Sequence, residues 1–196
     1  MAGASERILQ AAVEAATVHG LSRLSVGDVA RRAGVSRPTV YKHFPSRRDL
    51  IAAAVRSEAG AMIAAVRAEV AAHGDPAKAL EAGVLLALRL LRDHPLLDRI
   101  VRTEPETLVP LLTTDDGLIL PAVRSPVEEM VAGRLPRLDP VTVRRLADIL
   151  ARLLISYALN APDDPPEVVA ALVAALLADG AASLPSLPAR VIEEVP

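Results

Sequence analysis

Leu24 to Leu50 reads LSVGDVARRAGVSRPTVYKHFPSRRDL, and the punctuation of this stretch decides the fold. Ser25 stands where an N-cap is wanted, with Asp28 three residues on in the position of a capping-box acid. Val26, Val29 and Ala30 recur at helical spacing and predict a short apolar face. Gly34 follows Ala33 at the point where a left-handed backbone ends a helix and a Cβ is costly. Val35 is expected to fill the angle between two helices. Ser36 caps the second, and Pro38 lies in its first turn, where a missing N–H does no harm. Val40 and Phe44, four apart, face inward, leaving Arg37, Thr39, Tyr41, Lys42 and His43 on the remaining surface. Two short helices joined by a glycine-containing turn form the helix-turn-helix, whose second helix enters a DNA major groove.

Upstream, Ser5 to His19 carries Ile8, Leu9, Ala12, Val13 and Ala16 at helical spacing and ends at Gly20. Two short helices cannot close a core alone, so this one is expected to pack behind them. Downstream, Ser46 and Asp49 predict the cap of a long helix that runs to about His73 and stops at Gly74. Arg47 and Arg48 lie in its first turn. Val55, Met62, Ile63, Val66 and Val70 make its later part apolar, so one rod spans two modules and can act as a lever.

The remainder reads as all-α. Asp75-Pro76, Asp139-Pro140 and Asp164-Pro165 each pair a capping acid with proline at the first helical position, and Ser125-Pro126 has the same look. Helices are expected near 76–93, 95–102, 105–112, 118–135 (bent or restarted near Pro126), 140–159 and 165–179. Thr113 to Gly117 reads as a polar loop. The domains are accordingly 1–46, a three-helix helix-turn-helix; 47–184, a helical effector-binding and dimerisation domain; and 185–196, a flexible tail.

Composition narrows the function classes. Apolar residues make up 52% of the 196, aromatics only 2%, and there is no cysteine. The core is therefore aliphatic, and a disulfide scaffold or thiolate metal site is excluded. No secretory h-region opens the chain and no run reaches about 18 uncharged apolar residues, so the expectation is a cytoplasmic protein with no membrane partner. The net charge of −2 hides an asymmetry: residues 1–56 hold nine Lys/Arg against four Asp/Glu, while the rest holds thirteen against twenty. A basic head on an acidic body is the footprint of a small DNA-reading domain. Catalysis is not expected. His19, His43, His73 and His94 show no ligand spacing, there is no glycine-rich phosphate loop or G-x-S-x-G, and Asp115-Asp116 and Asp163-Asp164 read as loop and cap residues. No metal or cofactor is expected.

The residues Val29-Ala30, Ala33-Gly34-Val35-Ser36, Thr39-Val40-Tyr41, His43-Phe44, Ser46 and Asp49-Leu50 resemble the TetR family of transcriptional regulators. That family shows an A-G-V-S turn, a T-(L/V)-Y-x-(H/Y)-F recognition helix and an F-x-S-K-(E/D)-x-L junction with the next helix. Arg47 stands in place of the common lysine. The resemblance reaches upstream through Arg7-Ile8-Leu9 and Ala11-Ala12 to Gly20, and so covers roughly the first fifty residues.

The DNA half of the function follows from geometry. Two recognition helices on a two-fold axis read half-sites roughly 34–36 Å apart in a pseudo-palindromic double-stranded operator. Arg37 is the candidate base reader, since arginine bonds guanine O6 and N7 bidentately. Thr39 reaches a thymine methyl or a phosphate. Tyr41, Lys42, His43 and Arg47 are placed for phosphates with the Ser36 backbone N–H at the helix N-terminus, Tyr41 reading also as partly core, and Pro38 shares their surface. Helices near 140–159 and 165–179 are apolar on nearly all sides, which predicts a four-helix homodimer interface; the resemblance implies the same dimer.

The resemblance further implies a repressor released from its operator by a small ligand in the helical module. The expected lining is Met62, Val66, Leu86, Met130 and Tyr157, with Arg89, Arg152 and Ser156 to orient a polar group. Each reads equally well as core filler or as a surface arginine laid along apolar wall. With few aromatics to stack on, an aliphatic or acyl, lipid-like effector suits the walls. The segment from His94-Pro95-Leu96 through Glu104-Pro105-Glu106 to Leu111-Leu112-Thr113 is similar to regulators tied to lipid or alkane metabolism. The alternative is a DNA-binding regulator or architectural protein without an effector, which shares every DNA residue and lacks a usable cavity.

Overall fold

The computed structural model describes residues 3–106, 119–160 and 163–183, with side chains to Leu177 in the last stretch. Their elements in chain order are α1 (Ala4–His19), α2 (Val26–Arg32), α3 (Arg37–His43), α4 (Arg47–Ala72), α5 (Pro76–Arg92), α6 (Pro95–Thr103), α7 (Ile119–Arg134), α8 (Pro140–Leu159) and α9 (Pro166–Ser183). No strand occurs among the described residues. The expected helix near 105–112 begins at Pro105 and otherwise lies outside them, as do the 113–117 loop and the tail beyond Ser183. No helix among those described is long and apolar enough to cross a membrane.

Local chemistry explains most of the boundaries. Ser36, Ser46 and Asp75 each accept the backbone N–H three residues on, from Thr39, Asp49 and Lys78. Asp139 accepts from Val141 N and Thr142 N and takes the Thr142 hydroxyl as well. Gly34 has φ +66°, and around it Val35 N donates to Ala30 O and Gly34 N to Arg31 O. These are the two bonds of a Schellman motif, and they turn the chain from α2 into α3. The far end of α4 is closed by a neighbour: Arg134, the last residue of α7, donates to the carbonyls of His73 and Val70.

Three expectations about ends are corrected. The Ser25 side chain makes no capping bond to α2, and the Asp28 carboxylate holds Arg31 and Arg32 instead of completing a capping box. Of the two expectations for Pro126, bent or restarted, the restart is overturned: α7 runs through it as one helix. Val127 and Val131 on the same helix are buried, and this packing holds the helix across the lost hydrogen bond. Helix α9 begins at Pro166, not Pro165, whose carbonyl accepts from Val168 N and Val169 N.

Burial separates two apolar clusters. The first joins Ile8, Ala12, Leu21, Val29, Val40, Phe44 and Leu50 to Leu96 and Ile100 of α6, Leu120 of α7 and Ala151 and Ile155 of α8. The second is made by α5, α7, α8 and α9 around Val84, Val131, Val143, Leu150 and Val173. Helix α5 approaches α4 closely at Gly83, where an added Cβ would lie 2.5 Å from Val70 Cγ2.

Candidate DNA interface and effector cavity

Helix α3 is anchored by two residues and otherwise faces outward. Val40 is fully buried and Phe44 nearly so, while Ser36, Arg37, Pro38, Tyr41, Lys42 and His43 are exposed. The i, i+4 anchor puts the intervening side chains on one outer surface. Thr39 is half-buried, with its Oγ1 2.8 Å from Ser36 Oγ. The guanidinium of Arg37 folds back over Gly27 of α2, where any Cβ would collide with it. Tyr41 is 49% exposed, so its ring belongs to the surface and not to the core.

Arg47 is differently engaged. Its Nε donates to Leu24 O at 2.7 Å, and its Nη2 donates to Leu21 O and Ser22 O, both at 2.6 Å. Three carbonyls of the α1–α2 loop thus converge on one guanidinium, which matches a fork of donors rather than a point charge. The same loop is held from the other side by Glu104, just beyond α6. That carboxylate is 7% exposed and accepts Ser22 N at 2.9 Å and Ser22 Oγ at 2.8 Å. It packs on the Cα of Gly20, whose φ of +86° and lack of a Cβ leave room for it. A buried charge needs such bonds to be tolerated.

Between α4, α5, α6, α7 and α8 lies a cavity of about 160 Å³. Met62, Val66 and Met130 line it, as expected. Leu86, Arg89, Arg152, Ser156 and Tyr157 do not. On α5 the wall is built from Ala87, Leu90 and Leu91, and Arg89 instead points outward to Glu167 of α9 at 2.6 Å. On α8 the wall is Leu154, Ile155 and Ala158. Arg152 bonds Asp148 one turn back and shares an outward face with Ser156 and Ile149; Tyr157 packs on the second apolar cluster. Helix phase decided these positions, and apolar runs without a polar stripe do not reveal it.

Two polar wall residues were missed by sequence reasoning, Glu58 on α4 and His94 at the cap of α6. His94 Nδ1 accepts Leu97 N at 3.3 Å, and its Nε2 lies 3.1 Å from Glu58 Oε2. His94-Pro95 was legible as a helix start, but a partner 36 residues away was not. Leu21 of the α1–α2 loop also reaches the wall.

Comparison with known proteins follows this geometry. Residues 8–54 match the family model of bacterial regulatory proteins, tetR family, and residues 75–179 match that of the bacterial tetracyclin repressor C-terminal domain. An uncharacterized HTH-type transcriptional regulator of Mycobacterium bovis is 38% identical over 98 residues, 50% of each chain. Another, of Mycobacterium tuberculosis, is 30% identical over 156 residues, covering 78% of this chain and 73% of the relative. For the first of these relatives, the match spans about half of its length. Among solved structures, the TetR family repressor AlkX from Dietzia sp., implicated in biodegradation of n-alkanes, has a TM-score of 0.73 at 25% identity, over 91% of this chain and 95% of that one. FadR from Bacillus subtilis, solved with stearoyl-CoA, has a TM-score of 0.60 at 18% identity, over 89% and 97%, and shares the fold alone.

Proposed function

The chain belongs to the TetR family of bacterial transcriptional regulators, and from that premise we propose that it is a homodimeric repressor. In this reading the dimer leaves a pseudo-palindromic operator when a small aliphatic ligand enters the cavity. The observation that carries the DNA half is the exposed face of α3, with Arg37, Tyr41, Lys42 and His43 outward and Val40 and Phe44 inward. Arg37 reads a base once it swings off Gly27, Lys42 contacts phosphate, and the Ser36 end of α3 offers backbone N–H groups to another phosphate. Arg47 we assign to holding the α1–α2 loop in place rather than to a phosphate.

The dimer reading is supported by apolar side chains left exposed on α8 and α9. Ile149 is 59% exposed, and Val168, Leu172 and Leu176 form an i, i+4, i+8 stripe. A second copy of this chain would cover them isologously. The effector reading is supported by a wall that is aliphatic almost throughout. Leu96, Leu97 and Ile100 of α6 share that wall with Leu21. An occupant that shifts α6 therefore also pulls on Ser22 through Glu104, and the DNA-reading helices move with the loop. The likeness to AlkX, a repressor implicated in n-alkane biodegradation, agrees with an aliphatic effector.

The test is selection from a pool of random duplexes at low salt, followed by operator titration. Arg37→Ala should relax preference at one position, costing about 1–3 kcal/mol on the preferred base. Lys42→Ala should weaken all sequences alike and lower the salt slope by about one. A chain that ignores duplex DNA across the pool overturns the reading.

A further inference from the structure

Resting on the reading of this cavity as an effector site, we infer that the Glu58–His94 pair selects a small aliphatic ligand whose polar end donates a hydrogen bond, and turns away carboxylates and phosphate-bearing acyl thioesters. The wall sets the problem. Among the described residues that line the cavity, Glu58 and His94 are the titratable ones, and none is Lys or Arg. An anionic head group therefore meets no cation among the described lining residues.

The pair itself offers an anion nothing. His94 Nδ1 is an acceptor, because it takes the Leu97 N–H at the cap of α6. The ring proton then sits on Nε2, facing Glu58 Oε2 at 3.1 Å. Both ring nitrogens are committed, and no donor is left for a carboxylate. Glu58, in contrast, accepts only. An ionised carboxylate has about four acceptor positions, and His94 fills one. With 35% of its side chain exposed, Glu58 can present the others to a head group entering along α4. A hydroxyl or an ammonium finds an acceptor there, while a second carboxylate finds a like charge at close range.

The experiment titrates the full chain with hexanol, hexylamine and hexanoate, sized to a cavity of about 160 Å³, at neutral pH, and reads affinity by calorimetry and thermal shift. Hexanol or hexylamine should bind at least about tenfold more tightly than hexanoate. Tight hexanol with weak hexylamine assigns an uncharged hydroxyl; the reverse assigns a cation. Glu58→Gln keeps the shape and an oxygen acceptor for His94. It should tighten hexanoate until it lies within about threefold of hexanol, and weaken hexylamine about tenfold. Hexanoate binding the wild type as tightly as hexanol, or a hexanoate-to-hexanol ratio unchanged in Glu58→Gln, overturns the selection. Hexanoate binding best and releasing the operator would do so while leaving the cavity an effector site. Failure of all three ligands to bind would overturn both readings.

Discussion

Arg47 is a residue whose type was legible in the sequence and whose contacts were not. Its place in the first turn of α4, beside a basic helix, marks it for phosphate, yet its fork of donors is spent on Leu21, Ser22 and Leu24 carbonyls. Arg47→Ala should lower stability by about 1–2 kcal/mol in chemical denaturation. Salt titration of DNA binding separates the roles: the slope stays unchanged for a loop clamp and falls by about one for a phosphate contact. Asp148 gives a second residue-scale prediction. The Arg152 hydrogen bond, opposed by some desolvation and helped by Arg124, holds its carboxyl below the usual range. A lowered folded value means the stabilisation is present above the ordinary carboxylate value and is lost as pH falls through the lowered one. Melting temperature should therefore fall as pH drops from about 5 to 3, and less steeply in Asp148→Asn.

At the scale of elements, the α4–α5 contact is set by one missing methyl. Gly83→Ala gains helix propensity worth about 1 kcal/mol but drives a Cβ against Val70, which is buried and cannot withdraw freely. Overpacking of this kind costs about 1–3 kcal/mol, so the net effect should be destabilising. An unchanged or raised denaturation midpoint would show that α5 can slide off α4. Gly83 carries no sign of this in the sequence, where it is one small residue in an Ala- and Leu-rich helix. Pro126 left a bend and a restart both open in the sequence: proline is a reliable breaker only where nothing else holds the segment, and here Val127 and Val131 do. The capped starts at Ser36, Ser46, Asp75 and Asp139 were readable because each bond spans two or three residues.

At the scale of the whole molecule, two couplings remain to be measured. The exposed stripe of α9 predicts that Leu172→Glu yields monomers in sedimentation, with operator affinity reduced by about two orders of magnitude or more once two half-sites are no longer read together. A dimer that survives this substitution would place the interface elsewhere. The other is the proposed ligand-to-DNA coupling through Glu104. Glu104→Ala should retain ligand binding and operator binding while ligand-driven release fails, since α6 would no longer grip Ser22. Release at the wild-type ligand concentration would assign the transmission to α4 alone.

By itself the sequence determined the helix-turn-helix, its buried and exposed faces, the order of helices and most of their caps. Those rest on contacts between residues a few positions apart, which composition and spacing record. Only the tertiary structure decided which face of α5 and α8 meets the cavity, that Arg47 and Glu104 clamp one loop from opposite sides, and that Glu58 stands against His94. Each of these joins residues some twenty to eighty positions apart, through packing phases that a uniformly aliphatic helix does not write into its pattern.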